Sequence, residues 1–256
     1  MRGRIADFRW RAAARAAAAL KLAALLLLAP LAHVAVARGG ELAPFDAQFN
    51  VVWRGMGAGT AHLTLKRGDG SRWTYSSQNV ARGLFKLAVP GEIRQSSELR
   101  IQDEHVVPLH FLTDDGSSDT RRDSDVRFDW QAGRATGTAE GRKVDAALVP
   151  GLQDTLSVQI ALINELVSGR TPTSFELLDR DEVKTYQYIA EGHERITTAM
   201  GTHDTVKYRS RRPDSDRSTV FWCAPDLGYL PLKVERHKGS KIEWAMSLTQ
   251  LKRDIS

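Results

Sequence analysis

The sequence predicts a mainly β protein, a curled antiparallel sheet or incomplete β-barrel of about a dozen strands around one buried helix. The alternative is a β-sandwich with a capping helix. Three observations predict this class. Apolar residues recur with period two through most of the chain after residue 38. Turn signals follow at intervals of roughly 8–12 residues. The pattern breaks once, for a single stretch with helical period.

The first strand is Phe45 to Trp53, which places Phe45, Phe49, Val51 and Trp53 on one face. Ala58 to Lys66 follows after Gly55-Met56-Gly57-Ala58-Gly59, glycines that permit a hairpin and a bulge. A phosphate cradle would need a helix next, whereas Thr60 to Leu65 alternates as a strand. Gly68-Asp69-Gly70 turns the chain into Arg72 to Val80. Further strands are expected at Glu92 to Ile101, Val106 to Thr113, Thr120 to Trp130, Arg134 to Glu140 and Val144 to Leu148. Between the third and fourth strands, Ala81 to Pro90 carries Leu84, Phe85, Leu87 and Val89 beside Arg82 and Lys86. It reads as a short helix closing one barrel end, or else as a flap or a membrane-touching surface.

The helix runs from Asp154 to Ser168, with Asp154 as N-cap and Gly169 just past its end. Leu156, Ile160, Ile163 and Val167 form a stripe, and Leu152, Leu162 and Leu166 widen it. Only Ser157, Gln159, Asn164 and Glu165 are left to face water, so the helix is expected to be mostly buried. Strands resume at Ser174 to Asp179, Val183 to Ala190, Glu194 to Met200 and His203 to Arg211. Thr219 to Cys223, Leu230 to His237 and Lys241 to Lys252 close the chain, and no linker divides residues 38–256. So many strands exceed what an open twisted sheet holds before it curls, and the helix is expected on the concave face.

Residues 1–37 read as a cleaved signal peptide. Arg2, Arg4, Arg9, Arg11, Arg15 and Lys21 precede an apolar run, Leu22 to Ala29, and Ala35-Val36-Ala37 supplies the small-x-small cleavage pattern. The apolar run falls short of the roughly 20 residues of a bilayer span, so no transmembrane segment is expected after cleavage. The chain carries 36 basic and 31 acidic residues, a net charge of +5. Without the leader both counts are 30, so the basicity belongs to export and nucleic acid is set aside as a partner. The protein is therefore expected in the periplasm. Cys223 is the single cysteine, cannot close an intramolecular disulfide, and reads as a packed side chain after Phe221-Trp222.

Several motifs resemble a known family. Trp53-Arg54-Gly55-Met56-Gly57-Ala58-Gly59-Thr60-Ala61 resembles its W-x-G-x-x-x-G-x-A hairpin, and Gly151-Leu152-Gln153-Asp154-Thr155-Leu156-Ser157 its G-x-Q-D-x-L-S helix entry. Gly201-Thr202-His203-Asp204-Thr205-Val206-Lys207 is similar to its G-T-x-x-T-x-K strand start, and Phe221-Trp222 with Leu230-Pro231-Leu232-Lys233-Val234-Glu235 to its C-terminal hairpin. The family is domain of unknown function 3108, exported proteins of Gram-negative bacteria. The resemblance covers most of residues 45–250 and implies a fold and a compartment. The shape is also similar to the incomplete barrels of periplasmic lipoprotein carriers, which hold acyl chains in an apolar cavity, an analogy of fold alone.

Residues that could carry chemistry do not converge. His62, His105, His110, His193, His203 and His237 lack metal-ligand spacing. No G-x-S-x-G elbow accompanies Ser96, Ser97 or Ser157. Asp114, Asp115, Asp119, Asp123 and Asp125 lack the spacing of a calcium loop and read as loop and edge charges. No catalytic, metal or cofactor residue is assigned, and no enzyme is expected. The expected function is a non-enzymatic one, binding a lipid or other hydrophobic molecule in a cavity lined by Phe49, Trp53, Leu156, Ile160, Ile163 and Val167. The alternative is an envelope scaffold or assembly factor that binds another protein by a sheet edge or by Leu84 to Val89.

Overall fold

The period-two pattern is realised as one fourteen-stranded antiparallel sheet. In the computed structural model residues 40–89 and 91–253 are described. The expected leader and its cleavage point lie outside them. The first eight strands are β1 (Phe45–Trp53), β2 (Met56–Arg67), β3 (Arg72–Ala81), β4 (Glu92–Gln102), β5 (His105–Asp114), β6 (Ser124–Asp129), β7 (Arg134–Ala139) and β8 (Arg142–Ala147). The last six are β9 (Ser174–Asp179), β10 (Glu182–Thr198), β11 (Gly201–Arg211), β12 (Arg217–Ala224), β13 (Leu230–Lys238) and β14 (Lys241–Arg253). Every strand lies beside its neighbour in sequence except β8 and β9, and β1 also pairs with β14. The curled sheet is therefore open between β8 and β9, where the chain inserts the helix α2 (Ser157–Val167).

α2 carries apolar side chains on two faces because it has two walls to satisfy. Leu156, Ile160, Ile163 and Val167 pack with Phe45, Phe49, Leu65, Tyr75 and Leu99. Val158, Leu162 and Leu166 pack with Leu177, Tyr188, Tyr208, Phe221 and Val234. Its first turn is held by Asp154, whose Oδ1 accepts the N–H groups of Leu156 at 2.8 Å and Ser157 at 2.6 Å. Ser157 Oγ in turn accepts the Asp154 N–H at 3.0 Å, a reciprocal cap. At the other end Gly169 takes φ +75, and the Gly169 and Arg170 N–H groups reach the Leu166 and Glu165 carbonyls. Ser157 and Asn164, expected to face water, are buried instead. Each has a partner: Asn164 Nδ2 donates to the Glu104 carbonyl at 2.7 Å, which pins the β4–β5 turn where Asp103 and Glu104 hold positive φ.

Three other expectations are corrected. Thr120–Arg122 is a 3-10 turn, wound by the Asp119 carboxylate accepting the Arg121 N–H, so β6 begins only at Ser124. The two strands expected over 183–200 are the single strand β10, bulged between Ala190 and His193, with Gly192 at φ +95. The Leu84 to Val89 segment contains a one-turn helix, α1 (Phe85–Ala88), yet Leu84 and Leu87 are 83% and 84% exposed. A single turn presents too few side chains inward to close a barrel end.

The glycine-rich hairpin behaves as its sequence suggests. Val51 pairs with Gly59 and Val52 with Gly57, which leaves Ala58 as the bulge. A Cβ at Gly59 would stand 2.1 Å from the Val80 carbonyl oxygen, whereas one at Gly57 would meet nothing within 4 Å.

Candidate functional site at the open seam

Strand length decides where the sheet is open. β6 pairs with only His110 to Thr113 of β5, so the first half of β5 has no strand on that side. Pro108, which has no N–H to offer a ladder, sits in this half. Its carbonyls are taken by side chains instead. Trp130 Nε1 donates to the Pro108 oxygen at 2.7 Å, and Gln153 Nε2 to the Val106 oxygen at 2.8 Å.

Gln153 stitches the seam. Its backbone N–H donates to Glu176 at 2.8 Å and its carbonyl accepts from Leu178 at 2.9 Å, a one-residue parallel bridge to β9. Its side chain crosses to β5, and its Oε1 accepts from Ser157 Oγ at 2.9 Å. Nearer the β7–β8 turn, Arg180 meets Glu140 at 2.7 Å and Arg142 meets Asp181 at 3.3 Å. One end of the seam is thus closed by ion pairs and the bridge.

The other part of the seam is a cleft of about 520 Å3. Val106, Val107 and Trp130 form one wall, Pro172 and Phe175 the other, and Ala161 of α2 the floor. His105 and Glu165 supply a polar end, 3.3 Å apart. Burial pushes the Glu165 carboxyl up, but hydrogen bonds and charge from Arg170, and then from His105, outweigh it and leave its pKa below the ordinary value of 4.5. The carboxylate is therefore fixed in its charged form. A second cavity of about 580 Å3 lies at the C-terminal end of α2, but Glu41, Arg67 and Glu104 make it polar.

The six residues expected to line a pocket are placed differently from the cleft. Phe49, Leu156, Ile160, Ile163 and Val167 are buried against one another and their strands. Ile160 and Phe49 are completely enclosed, so α2 fills the concave face next to them. Trp53 is 39% exposed at the end of β1, beside Trp244. A nine-residue strand runs roughly 30 Å and an eleven-residue helix roughly 16 Å, so the strand outruns the helix meant to face it.

Polar clusters are satisfied from within. Asp154 is buried, and burial raises its pKa although Ser97 Oγ, at 2.6 Å, and the first N–H groups of α2 hydrogen-bond to it. The Ser97 and Asp154 pair has no imidazole among its partners, so it holds the helix start and is no acyl-transfer set. Asp114, Asp115 and Asp123 place carboxylate oxygens within 4.8 Å of one another. Each already accepts a backbone N–H, from Gly116, Ser117 and Asp115 respectively. The histidines stay apart, most of them against a single carboxylate: His203 with Asp226 and His110 with Asp125, both at 2.7 Å. Cys223 is buried, and burial pushes its thiol up to about 12.

This geometry defines a mainly β chain, an open barrel wound around a helix. The chain belongs to the family of proteins of unknown function DUF3108, whose family model matches residues 48–240. Comparison with curated proteins finds no match. Among solved structures it is similar to a β-barrel-like protein of domain of unknown function DUF1849 from Brucella abortus, with TM-score 0.54 and 11% identity over 84% of this chain and 100% of that one. A more distant likeness is to MucB, with TM-score 0.35 and 13% identity over 86% of this chain and 56% of MucB. The same holds for the MucA/MucB complex of Pseudomonas aeruginosa, with TM-score 0.36 and 13% identity over 83% of this chain and 52% of that one. At these identities the first likeness is one of fold. Among the described residues, no helix is long and apolar enough to cross a membrane.

Proposed function

We propose that this is a non-enzymatic periplasmic protein, exported by its leader, that binds a hydrophobic or amphiphilic molecule such as a lipid acyl chain in the seam cleft. The observation that carries this reading is the wall of Val106, Val107, Trp130 and Phe175 around about 520 Å3, a volume within the range of roughly 300–1,000 Å3 for small-molecule sites. Apolar walls with one polar end suit a single chain with a head group, and His105 and Glu165 stand where that group would lie. The burial of Phe49 and Ile160 against the sheet supports taking the seam, rather than the helix stripe, as the site. A reading as catalyst has less support, because the buried Ser97, Gln153, Asp154 and Ser157 serve the helix start.

Native mass spectrometry of protein purified from cells that express the complete chain tests this. A co-purifying amphiphile that disappears in Phe175→Asp, with folding retained, supports the cleft. A ligand-free protein that takes up no fatty acid or phospholipid counts decisively against it.

A second reading, an envelope scaffold, rests on one feature. β8 ends the sheet order, and a partner strand could add to its free edge. Cross-linking in the cell envelope that recovers no protein partner through β8 removes that reading.

A further inference from the structure

Six of the nine large apolar side chains exposed among the described residues gather at one end of the sheet, while Met200 lies in the β10–β11 turn at the other. Trp53 is 39% exposed, Met56 58%, Val80 43%, Leu84 83%, Leu87 84% and Ile242 44%. The pairing brings them together: Trp53 lies opposite both Met56 and Trp244, and the Arg82 N–H donates to Ala58 at 2.8 Å, which sets the α1 knuckle beside the β1–β2 hairpin. The β13–β14 turn follows on the same side, through the Arg54 N–H to Glu243 at 3.0 Å.

Cations are interleaved with these side chains. Arg82 and Lys86 flank the leucines, Lys238 and Lys241 flank the β13–β14 turn, and none of the four has an ion-pair partner among the described residues. Arg54 stands 5.9 Å from the Trp53 ring. The nearby acids Glu92 and Glu243 are neutralised by Arg94 at 2.6 Å and Arg217 at 3.4 Å, and in the loop packed on Gly91, Asp115 and Asp119 by Arg122 at 3.8 Å and Arg121 at 2.6 Å. Among the described residues this leaves Asp114, Asp123 and Asp216 without a basic partner against the four lysines and arginines.

We infer that this end docks on an anionic phospholipid surface, with Leu84 and Leu87 entering the acyl boundary and the cations at phosphate level. Leucines projecting from a one-turn knuckle are costly in water and gain by insertion. Trp53 is of the residue type favoured at the headgroup level. Charge selects the occupant: a second copy would bring like cations face to face, whereas anionic headgroups complement them. None of these residues lines the seam cleft, so this inference stands independently of the ligand reading.

The test is co-sedimentation of the protein, purified from cells expressing the complete chain, with vesicles of phosphatidylcholine containing phosphatidylglycerol. Binding is expected to the mixed vesicles and to be much weaker with phosphatidylcholine alone. Leu84→Ser with Leu87→Ser should lower partitioning on the order of a hundredfold. Arg82→Gln and Lys86→Gln should each lower it roughly fivefold, and added salt should weaken the unsubstituted protein. Circular dichroism should show the variants folded, because the replaced side chains are exposed. Absence of binding by the unsubstituted protein, or equal binding by the leucine variant, overturns the inference. So does self-association by sedimentation velocity that the leucine substitutions abolish without any vesicle binding, since a second copy would then be what covers this end.

Discussion

Replacing Gln153 by alanine removes the side chain that ties α2 to the free half of β5. Its amide donates to Val106 at 2.8 Å and Gly151 at 3.2 Å and accepts from Ser157 at 2.9 Å, in a site 2% exposed. Alanine leaves the Val106 carbonyl and the Ser157 hydroxyl short of a partner. An unsatisfied buried group costs about 1–3 kcal/mol. Ser157 retains a longer contact of 3.4 Å to the Asp154 carbonyl, which offsets part of its share. The backbone bridge to β9 is untouched, so the expected loss is about 2–5 kcal/mol. For a domain of this size that corresponds to a fall in Tm of roughly 5–15 °C. Urea denaturation with an unchanged slope is the assay. Arg195→Ala, which breaks an ion pair with side chains 70% and 73% exposed, is the control and should cost little. A Gln153→Ala loss no larger than that control would refute the stitching role.

Three further outcomes are expected. Gly59→Ala must push the new Cβ away from the Val80 carbonyl and should cost roughly 2 kcal/mol or more, while Gly57→Ala, open on every side, should be nearly neutral by urea midpoint. The folded pKa of Glu165 lies below its ordinary 4.5, so its stabilisation is complete above the unfolded pKa and drains away as pH falls through the folded value. Glu165→Gln should therefore flatten the acid limb of the midpoint-versus-pH curve, and parallel limbs would contradict the pairing with Arg170. Cys223, buried and with its thiol pushed up to about 12, should react with a thiol reagent only as fast as the protein unfolds; rapid labelling of native protein would show that the strand opens locally.

Most strands were legible because alternation, clearest along β1 and β3, depends on one buried face alone, whereas β12 and β13, buried on both faces, showed as short apolar runs. The helix was legible from its apolar stripe, and Asp154 does hold its start, although α2 begins only at Ser157, after Leu156, three residues later than residue type suggested. What period could not show was how the apolar faces of α2 would be shared. Leu156 and Ile160 read as a pocket wall, whereas two halves of the sheet close on them and on Leu162. The seam was harder still, since Val107, Trp130 and Phe175 meet only because β6 pairs with half of β5. A faint signal existed in Pro108, an edge-strand residue inside an otherwise regular strand. Leu84 and Leu87 were visible as an apolar knuckle, but their exposure depends on how briefly α1 lasts.

The most direct measurement is photolabelling of the folded protein with a fatty acid that carries a diazirine near the end of its acyl chain, followed by peptide mapping. The seam reading predicts label on peptides holding Val107, Trp130 and Phe175, saturable by unlabelled fatty acid and lost in Phe175→Asp. Label confined to Leu84, Leu87 and the neighbouring hairpins, or spread without saturation, would contradict a binding site in the seam.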